Sequence, residues 1–130
     1  QDTDLLYGNL GDDRLFGGLG DDDVYGGQGA DTLSGGAGND LLVGGTGADR
    51  IAIGSSDGID TVSGFSTSDG DVIAVAANVN GTDIATAADL LGRLSSDADG
   101  NAVLDLGSGN SITLMGVRTT ELSAADFLIT

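Results

Sequence analysis

The sequence predicts an all-β chain wound as a parallel solenoid and closed by a mainly-β second half with one or two short helices. Three observations carry this. Glycine, aspartate and an aliphatic residue recur in a nine-residue phase from Gly8 to Ala52. Each unit ends in an aliphatic side chain flanked by two outward places, the period-two pattern of a strand. After Ala52 the phase gives way to ordinary globular patterning.

The units are Gly8–Phe16, Gly17–Tyr25, Gly26–Ser34, Gly35–Val43 and Gly44–Ala52. Glycine holds the first place (Gly8, Gly17, Gly26, Gly35, Gly44) and the fourth (Gly11, Gly20, Gly29, Gly38, Gly47) in all five. It holds the second in four (Gly18, Gly27, Gly36, Gly45), where Asn9 is the exception. The sixth place is always aspartate: Asp13, Asp22, Asp31, Asp40 and Asp49. The eighth is Leu15, Val24, Leu33, Leu42 or Ile51. A truncated unit ahead of these carries Asp4 and Leu6 in the matching places. Each unit therefore reads as a turn, whose glycines and Asn9 accept a left-handed backbone, followed by a very short strand. Arg14, Asp23, Thr32 and Arg50 fall at outward places, as do Leu5, Tyr7, Phe16, Tyr25, Leu41 and Val43.

Two units make a coil of 18 residues, and stacked coils bring parallel strands about 4.8 Å apart. This sets Asp4 over Asp22, Asp13 over Asp31, Asp22 over Asp40 and Asp31 over Asp49. Carboxylates ~5 Å apart repel by about 3 kcal/mol at an effective dielectric near 20. The chain has no lysine, and Arg14 and Arg50 are the cationic side chains of its first 52 residues. A cation is expected between the turns. Aspartates and glycine-turn carbonyls are all-oxygen donors, which select a hard ion, and a flexible cage of six or more oxygens suits calcium better than magnesium. A lone Asp-Gly is usually a plain turn, but a phased set is not. Asp13, Asp22, Asp31 and Asp40, with Asp49 and Asp4 nearer the ends, are the expected carboxylate ligands of about four to five calcium ions.

The composition excludes other chemistries. A formal net charge of −17 on 130 residues rules out a nucleic-acid or anionic-membrane partner bound through a basic patch. Without His, Cys or Lys there is no common zinc site, no histidine triad, no cysteine nucleophile and no Walker A loop. No apolar run reaches a membrane span. High charge and abundant glycine alone would describe a disordered chain. One inward aliphatic per nine residues is too little burial to offset the ordering entropy, so calcium binding is expected to be coupled to folding.

The segments Gly17-Gly18-Leu19-Gly20-Asp21-Asp22-Asp23-Val24-Tyr25 and Gly35-Gly36-Ala37-Gly38-Asn39-Asp40-Leu41-Leu42-Val43 resemble the nonapeptide repeat of RTX (repeats-in-toxin) proteins. The resemblance covers residues 1 to about 52. It implies a right-handed parallel β-roll, with calcium between consecutive turns held by the sixth-place carboxylates and by carbonyls of the glycine-rich loops. Asn9 and Asp2 depart from the pattern.

The unbroken phase would put the next sixth place at Gly58, flanked by Asp57 and Asp60. RTX repeats often end in a segment resembling Asp60, Val62 and Phe65, so one or both of these aspartates are expected to close the last calcium site. Residues 1–64 are thus read as the roll and 65–130 as its cap. Asp69-Gly70-Asp71 reads as a plain turn, with calcium ligation as its alternative. Beyond it a strand is expected over Val72–Ala77 and a helix over Asp83–Leu94, with Ala87, Leu90, Leu91 and Leu94 on one face. Ala102–Leu106 and Ser111–Met115 read as a hairpin about Gly107–Asn110. Asp97–Asn101 reads as a turn, and Ser123-x-x-Asp126 as a helix start.

The ending Asp126-Phe127-Leu128-Ile129-Thr130 resembles the C-termini of RTX proteins exported by type I machinery, whose uncleaved signal lies there. The chain opens Gln-Asp with no basic-then-apolar leader and is read as part of a larger protein with an upstream domain. The expected function is a calcium-binding module that folds outside the cell and carries the export signal. No catalysis is expected of the module itself, although the parent protein is open to being a secreted enzyme. The alternative is a carbohydrate- or surface-binding module of an adhesin, a surface-layer protein or an alginate epimerase, secreted or held at the cell surface. An extracellular polysaccharide is its expected partner, although four arginines are few for a polyanion.

Overall fold

The computed structural model describes residues 2–55 and 57–130. Successive strands alternate between two sheets. One sheet takes β1 (Leu5–Leu10), β3 (Asp23–Gln28), β5 (Leu41–Thr46) and β7 (Ile59–Ser63); the other takes β2 (Arg14–Leu19), β4 (Thr32–Ala37), β6 (Arg50–Ile53) and β8 (Val72–Val75). All pairings among these eight strands are parallel. The chain is a parallel β-solenoid of about four turns.

The eighth-place aliphatics set the register. Leu6 pairs with Val24, Val24 with Leu42 and Leu42 with Val62 in one sheet; Leu15 pairs with Leu33, Leu33 with Ile51 and Ile51 with Ile73 in the other. These two columns face each other between the sheets. Val24, Leu33 and Leu42 are fully buried, whereas Leu6 and Leu15 at the first coil are only partly so.

The first five strands are longer than the expected triplets. They run six residues, through the first three places of the following unit, because the glycine pair stays in register with the next coil, as in Gly18 with Gly36 and Gly27 with Gly45. The phase also survives Ala52. Two extra residues enter each of the next two turns, so the sequence offset between stacked aspartates becomes 20 and then 22. The sixth places fall on Asp60 and Asp71 in consequence. Gly58 stands in a fourth place, over Gly38, and has a positive φ of 104° like the other fourth-place glycines.

The second half closes the far end by continuing both sheets. The hairpin of β10 (Ala102–Asp105) and β11 (Ser111–Met115) forms as expected, and β11 lies parallel on β7. A strand that the sequence reading lacks, β9 (Leu94–Ser96), pairs antiparallel with β10. The last strand, β12 (Phe127–Ile129), lies parallel on β8, with Phe127 beside Ile73. The strand expected over Val72–Ala77 stops at Val75, where the Ala76 and Ala77 N–H groups turn to the carbonyls of Ile53 and Thr130.

The helix is shorter than expected. α1 spans Ala87–Leu91, not Asp83–Leu94, because Thr86 caps it. Its hydroxyl accepts from Asp89 N–H while the Asp89 carboxylate accepts from Thr86 N–H. Gly92 ends it and Leu94 enters β9. Leu90 is buried, and Ala87, Leu91 and Leu94 pack against the core. Ser123 and Asp126 make the reciprocal cap, but about a single 3-10 turn, Ala124–Asp126, which leads into β12. Among the described residues no helix is long and apolar enough to cross a membrane.

Candidate metal centre

The sixth-place aspartates form two hydrogen-bonded columns, one at each turn side of the roll. In one, Asp4 N–H donates to Asp22 Oδ1 (2.7 Å), Asp22 N–H to Asp40 Oδ1 (2.8 Å) and Asp40 N–H to Asp60 Oδ1 (3.0 Å). In the other, Asp13 N–H donates to Asp31 Oδ1 (2.8 Å), Asp31 N–H to Asp49 Oδ1 (2.9 Å) and Asp49 N–H to Asp71 Oδ1 (2.9 Å). One carboxylate oxygen thus splices each coil to the one before it.

The other oxygen is left over. Oδ2 of Asp13, Asp22, Asp31, Asp40 and Asp49 is buried and has no hydrogen-bond partner. Burying a carboxylate oxygen without a partner is costly, and here it recurs five times in phase. The surroundings of these atoms are oxygen-rich. A β-carbon added at Gly26 would lie 2.5 Å from both Asp31 Oδ2 and the carbonyl oxygen of Gly44, one coil on. First-place Gly8, Gly17, Gly35 and Gly44 face the Oδ2 of Asp13, Asp22, Asp40 and Asp49 in the same way. Glycine is needed there for space, since these five do not adopt positive φ. Conformation selects glycine at the second and fourth places: Gly18, Gly20, Gly27, Gly29, Gly36, Gly38, Gly45, Gly47 and Gly11 have φ between 100° and 147°, and Asn9 takes 73°. Their carbonyls line the turns, as where Gly20 O lies against Gly38 and Gly29 O against Gly47.

Among the described residues no three acidic side chains converge. A cation held here therefore draws on carboxylates in stacked pairs and on backbone carbonyls for the rest. That donor set is all oxygen and carries negative charge, so it fits a hard divalent ion.

Electrostatics agree with the geometry. Burial, with the Asp40 and Asp57 charges, pushes Asp60 up to about 7 against the lowering bond from Asp40 N–H. Burial likewise raises Asp40, aided by the charges of Asp22, Asp21 and Asp57, and Asp49, aided by those of Asp71, Asp31 and Asp69.

The two aspartates expected to close the roll separate. Asp60 joins a column, whereas Asp57 lies outside both: its Oδ2 accepts from Gly54 N–H (2.6 Å) and its carbonyl from Gly38 N–H. Asp71, read as a plain turn residue, ends the second column, with Oδ1 on Asp49 N–H and Oδ2 on Ser66 N–H (2.8 Å). Exposed Asx side chains add bonds beside both columns: Asp12 Oδ1 accepts from Ala30 N–H on one turn side, and Asp21 Oδ1 from Asn39 N–H and Asn39 Oδ1 from Ile59 N–H on the other. Their signal is the Asx residue just before the sixth place.

Comparison with known proteins points the same way. The family model for the RTX calcium-binding nonapeptide repeat, four copies, matches residues 1–33 and 25–55. The fold matches the AlgE6R3 subunit of the Azotobacter vinelandii mannuronan C5-epimerase at TM-score 0.74 and 30% identity, covering 98% of this chain and 78% of that one. The AlgE6R2 subunit of the same enzyme matches at TM-score 0.59 and 26% identity, over 95% and 91%. The extracellular lipase LipA from Serratia marcescens matches in fold at TM-score 0.73 and 22% identity; 92% of this chain lies on 20% of the lipase. No curated protein matches in sequence. The family matched is a calcium-binding structural repeat, not a catalytic one.

Proposed function

Because the chain belongs to the RTX calcium-binding nonapeptide-repeat family, we propose that it folds only when calcium fills the turns, and that it does so outside the cell after export. The observation that carries this is the set of five buried, unpartnered Oδ2 atoms. One ion at each gives about five, held by Asp13, Asp22, Asp31, Asp40 and Asp49, by the column partners Asp4 and Asp60, and by the glycine-turn carbonyls. Calcium supplies the positive charge that lets these carboxylates stack. The chain's own part is to pin one oxygen of each aspartate to the neighbouring coil, aim the other into the turn, and keep the first places free of side chains. Extracellular calcium modules work at ~10⁻⁴–10⁻³ M, levels that the cytosol lacks.

Of residues 65–130, those beyond β8 act as the cap, and their end supports an order of events. Asp126 and Phe127 are buried, β12 is built into the sheet, and Thr130 N–H donates to the Val75 carbonyl. A type I signal at this end is readable only while the chain is unfolded, so export precedes calcium. Equilibrium dialysis with elemental analysis tests the site assignment: about five calcium ions per chain are expected, and one or none would refute it. The folded roll also offers a surface to an extracellular polysaccharide. This second reading is favoured by two arginines on one face that meet no carboxylate among the described residues.

A further inference from the structure

The sheet β1–β3–β5–β7–β11–β10–β9 turns an almost uncharged face outward. Register lines its outward side chains into two neighbouring columns. One runs Leu5, Asp23, Leu41 and Thr61 along the first four strands. The column beside it runs Tyr7, Tyr25, Val43 and Ser63. Asp23 is the one charge among these eight places, on a chain of formal charge −17. Leu5 and Tyr7 are each 59% exposed, and Tyr25, Leu41 and Val43 are half-buried. The Tyr7 and Tyr25 rings stack with their centroids 5.1 Å apart. A contiguous exposed apolar patch of this kind marks a contact surface.

We propose that this face joins two copies of the calcium-loaded chain into a two-fold dimer whose axis runs parallel to the solenoid axis. That axis sets each strand against the same strand of the second copy, antiparallel, and one column against the other. Leu5 then meets Tyr7 of the second copy, Asp23 meets Tyr25, Leu41 meets Val43 and Thr61 meets Ser63, and the symmetry repeats each contact. The chemistry matches at every step. Apolar groups meet apolar groups, hydroxyl meets hydroxyl, and the one carboxylate meets a phenol that can donate to it. Sheets packed face to face lie about 10 Å apart, a gap that side chains of this size fill. Seven strands about 4.8 Å apart and about five residues long make a face on the order of 600 Å² in plan. Side-chain relief brings that near the ~800 Å² per partner of a standard interface. The acidic turn edges at Asp12 and Asp21 lie outside this face, so two copies meet where repulsion between them is least. The opposite sheet, with Arg14 and Arg50, stays uncovered, and the dimer does not depend on the polysaccharide reading.

Sedimentation equilibrium of the calcium-loaded protein tests this. A monomer–dimer equilibrium with a micromolar Kd is expected. Tyr7→Asp should weaken the dimer at least tenfold while keeping its calcium-induced circular dichroism, because the two-fold counts the change twice. Tyr25→Phe keeps the ring and removes the hydroxyl offered to Asp23, and it should weaken the dimer about tenfold. Phe16→Asp, on the opposite sheet, should leave the dimer unchanged. A protein that stays monomeric up to millimolar concentration would overturn the proposal. A dimer that keeps its affinity in both tyrosine variants would place the contact elsewhere and overturn it, and so would a dimer that Phe16→Asp dissolves.

Discussion

Asp22 donates its backbone N–H to Oδ1 of Asp40 at 2.8 Å, one coil away, while its own Oδ2 stays buried with no partner. The two halves of the repeat's chemistry separate at this residue. The backbone and one oxygen hold coil to coil, and the second oxygen is the one proposed to hold calcium.

Asp22→Asn keeps an amide oxygen that can accept from Asp4 N–H but removes the charge and, on the proposal above, a calcium ligand. Its calcium midpoint should rise at least tenfold, about 1.4 kcal/mol or more, with one ion fewer bound. Asp12→Asn, on the exposed turn edge, should shift the midpoint less than twofold. Titration followed by tryptophan-independent far-UV circular dichroism distinguishes them, and equal shifts would count against the inner column as the calcium site.

Gly26→Ala and Gly11→Ala separate the two demands on glycine. A methyl at Gly26 would overlap both Asp31 Oδ2 and the Gly44 carbonyl, whereas one at Gly11 would meet nothing within 4 Å but sits at a φ of 104°. Gly11→Ala should cost about 1–2 kcal/mol, the left-handed penalty, and bind calcium normally. Gly26→Ala should cost more, on the order of 3 kcal/mol, and weaken calcium binding as well. Denaturant melts in saturating calcium would reveal a contradiction if the order were reversed.

Asp60 sets a pH dependence. Its pKa in the fold is raised from 3.8 to about 7, chiefly by burial, so the folded state prefers the protonated acid. That contribution is full below 3.8 and is lost as the pH climbs to about 7. In EDTA the chain should therefore be more ordered at pH 4.5 than at pH 8. Calcium, which needs the ionised form, should bind more weakly and release protons as the pH falls below 7. Asp60→Asn should make the EDTA profile shallower, leaving the parts of Asp40 and Asp49, which burial also raises; a metal-free chain most stable at pH 8 would contradict this.

Asp71 behaves differently from the aspartates beneath it, because Ser66 N–H already satisfies its second oxygen. Asp71→Asn removes one of two accepted bonds and should cost about 1–2 kcal/mol with or without calcium. The number of ions bound should not change. Loss of an ion in this variant would make Asp71 a ligand.

How much of this was legible in the sequence depends on what broke the count. Between Gly8 and Ala52 the phase specifies register, columns and core, because every deviation would move an aliphatic to the outer face. Leu15, Leu33 and Ile51 duly stack. The two-residue insertions in the later turns hid the places of Asp60 and Asp71, since a turn absorbs extra residues without disturbing the strands it joins. Asp57 has the chemistry of a ligand, and in the fold its carboxylate accepts from Gly54 N–H in its own turn. In the cap, Asp83–Leu94 has helical spacing throughout, but Thr86 and Gly92 stop the helix at both ends, and pairing with Leu104 takes Leu94 into a strand. The free oxygens themselves were not readable, because a sequence shows an aspartate but not which of its two oxygens the next coil has taken.

The most direct test of calcium-coupled folding is far-UV circular dichroism at pH 7.5, first in EDTA and then through a calcium titration into the millimolar range. A coil-like spectrum in EDTA is expected, turning β-rich in one cooperative step as calcium is added. A spectrum already β-rich in EDTA and unmoved by calcium would contradict it.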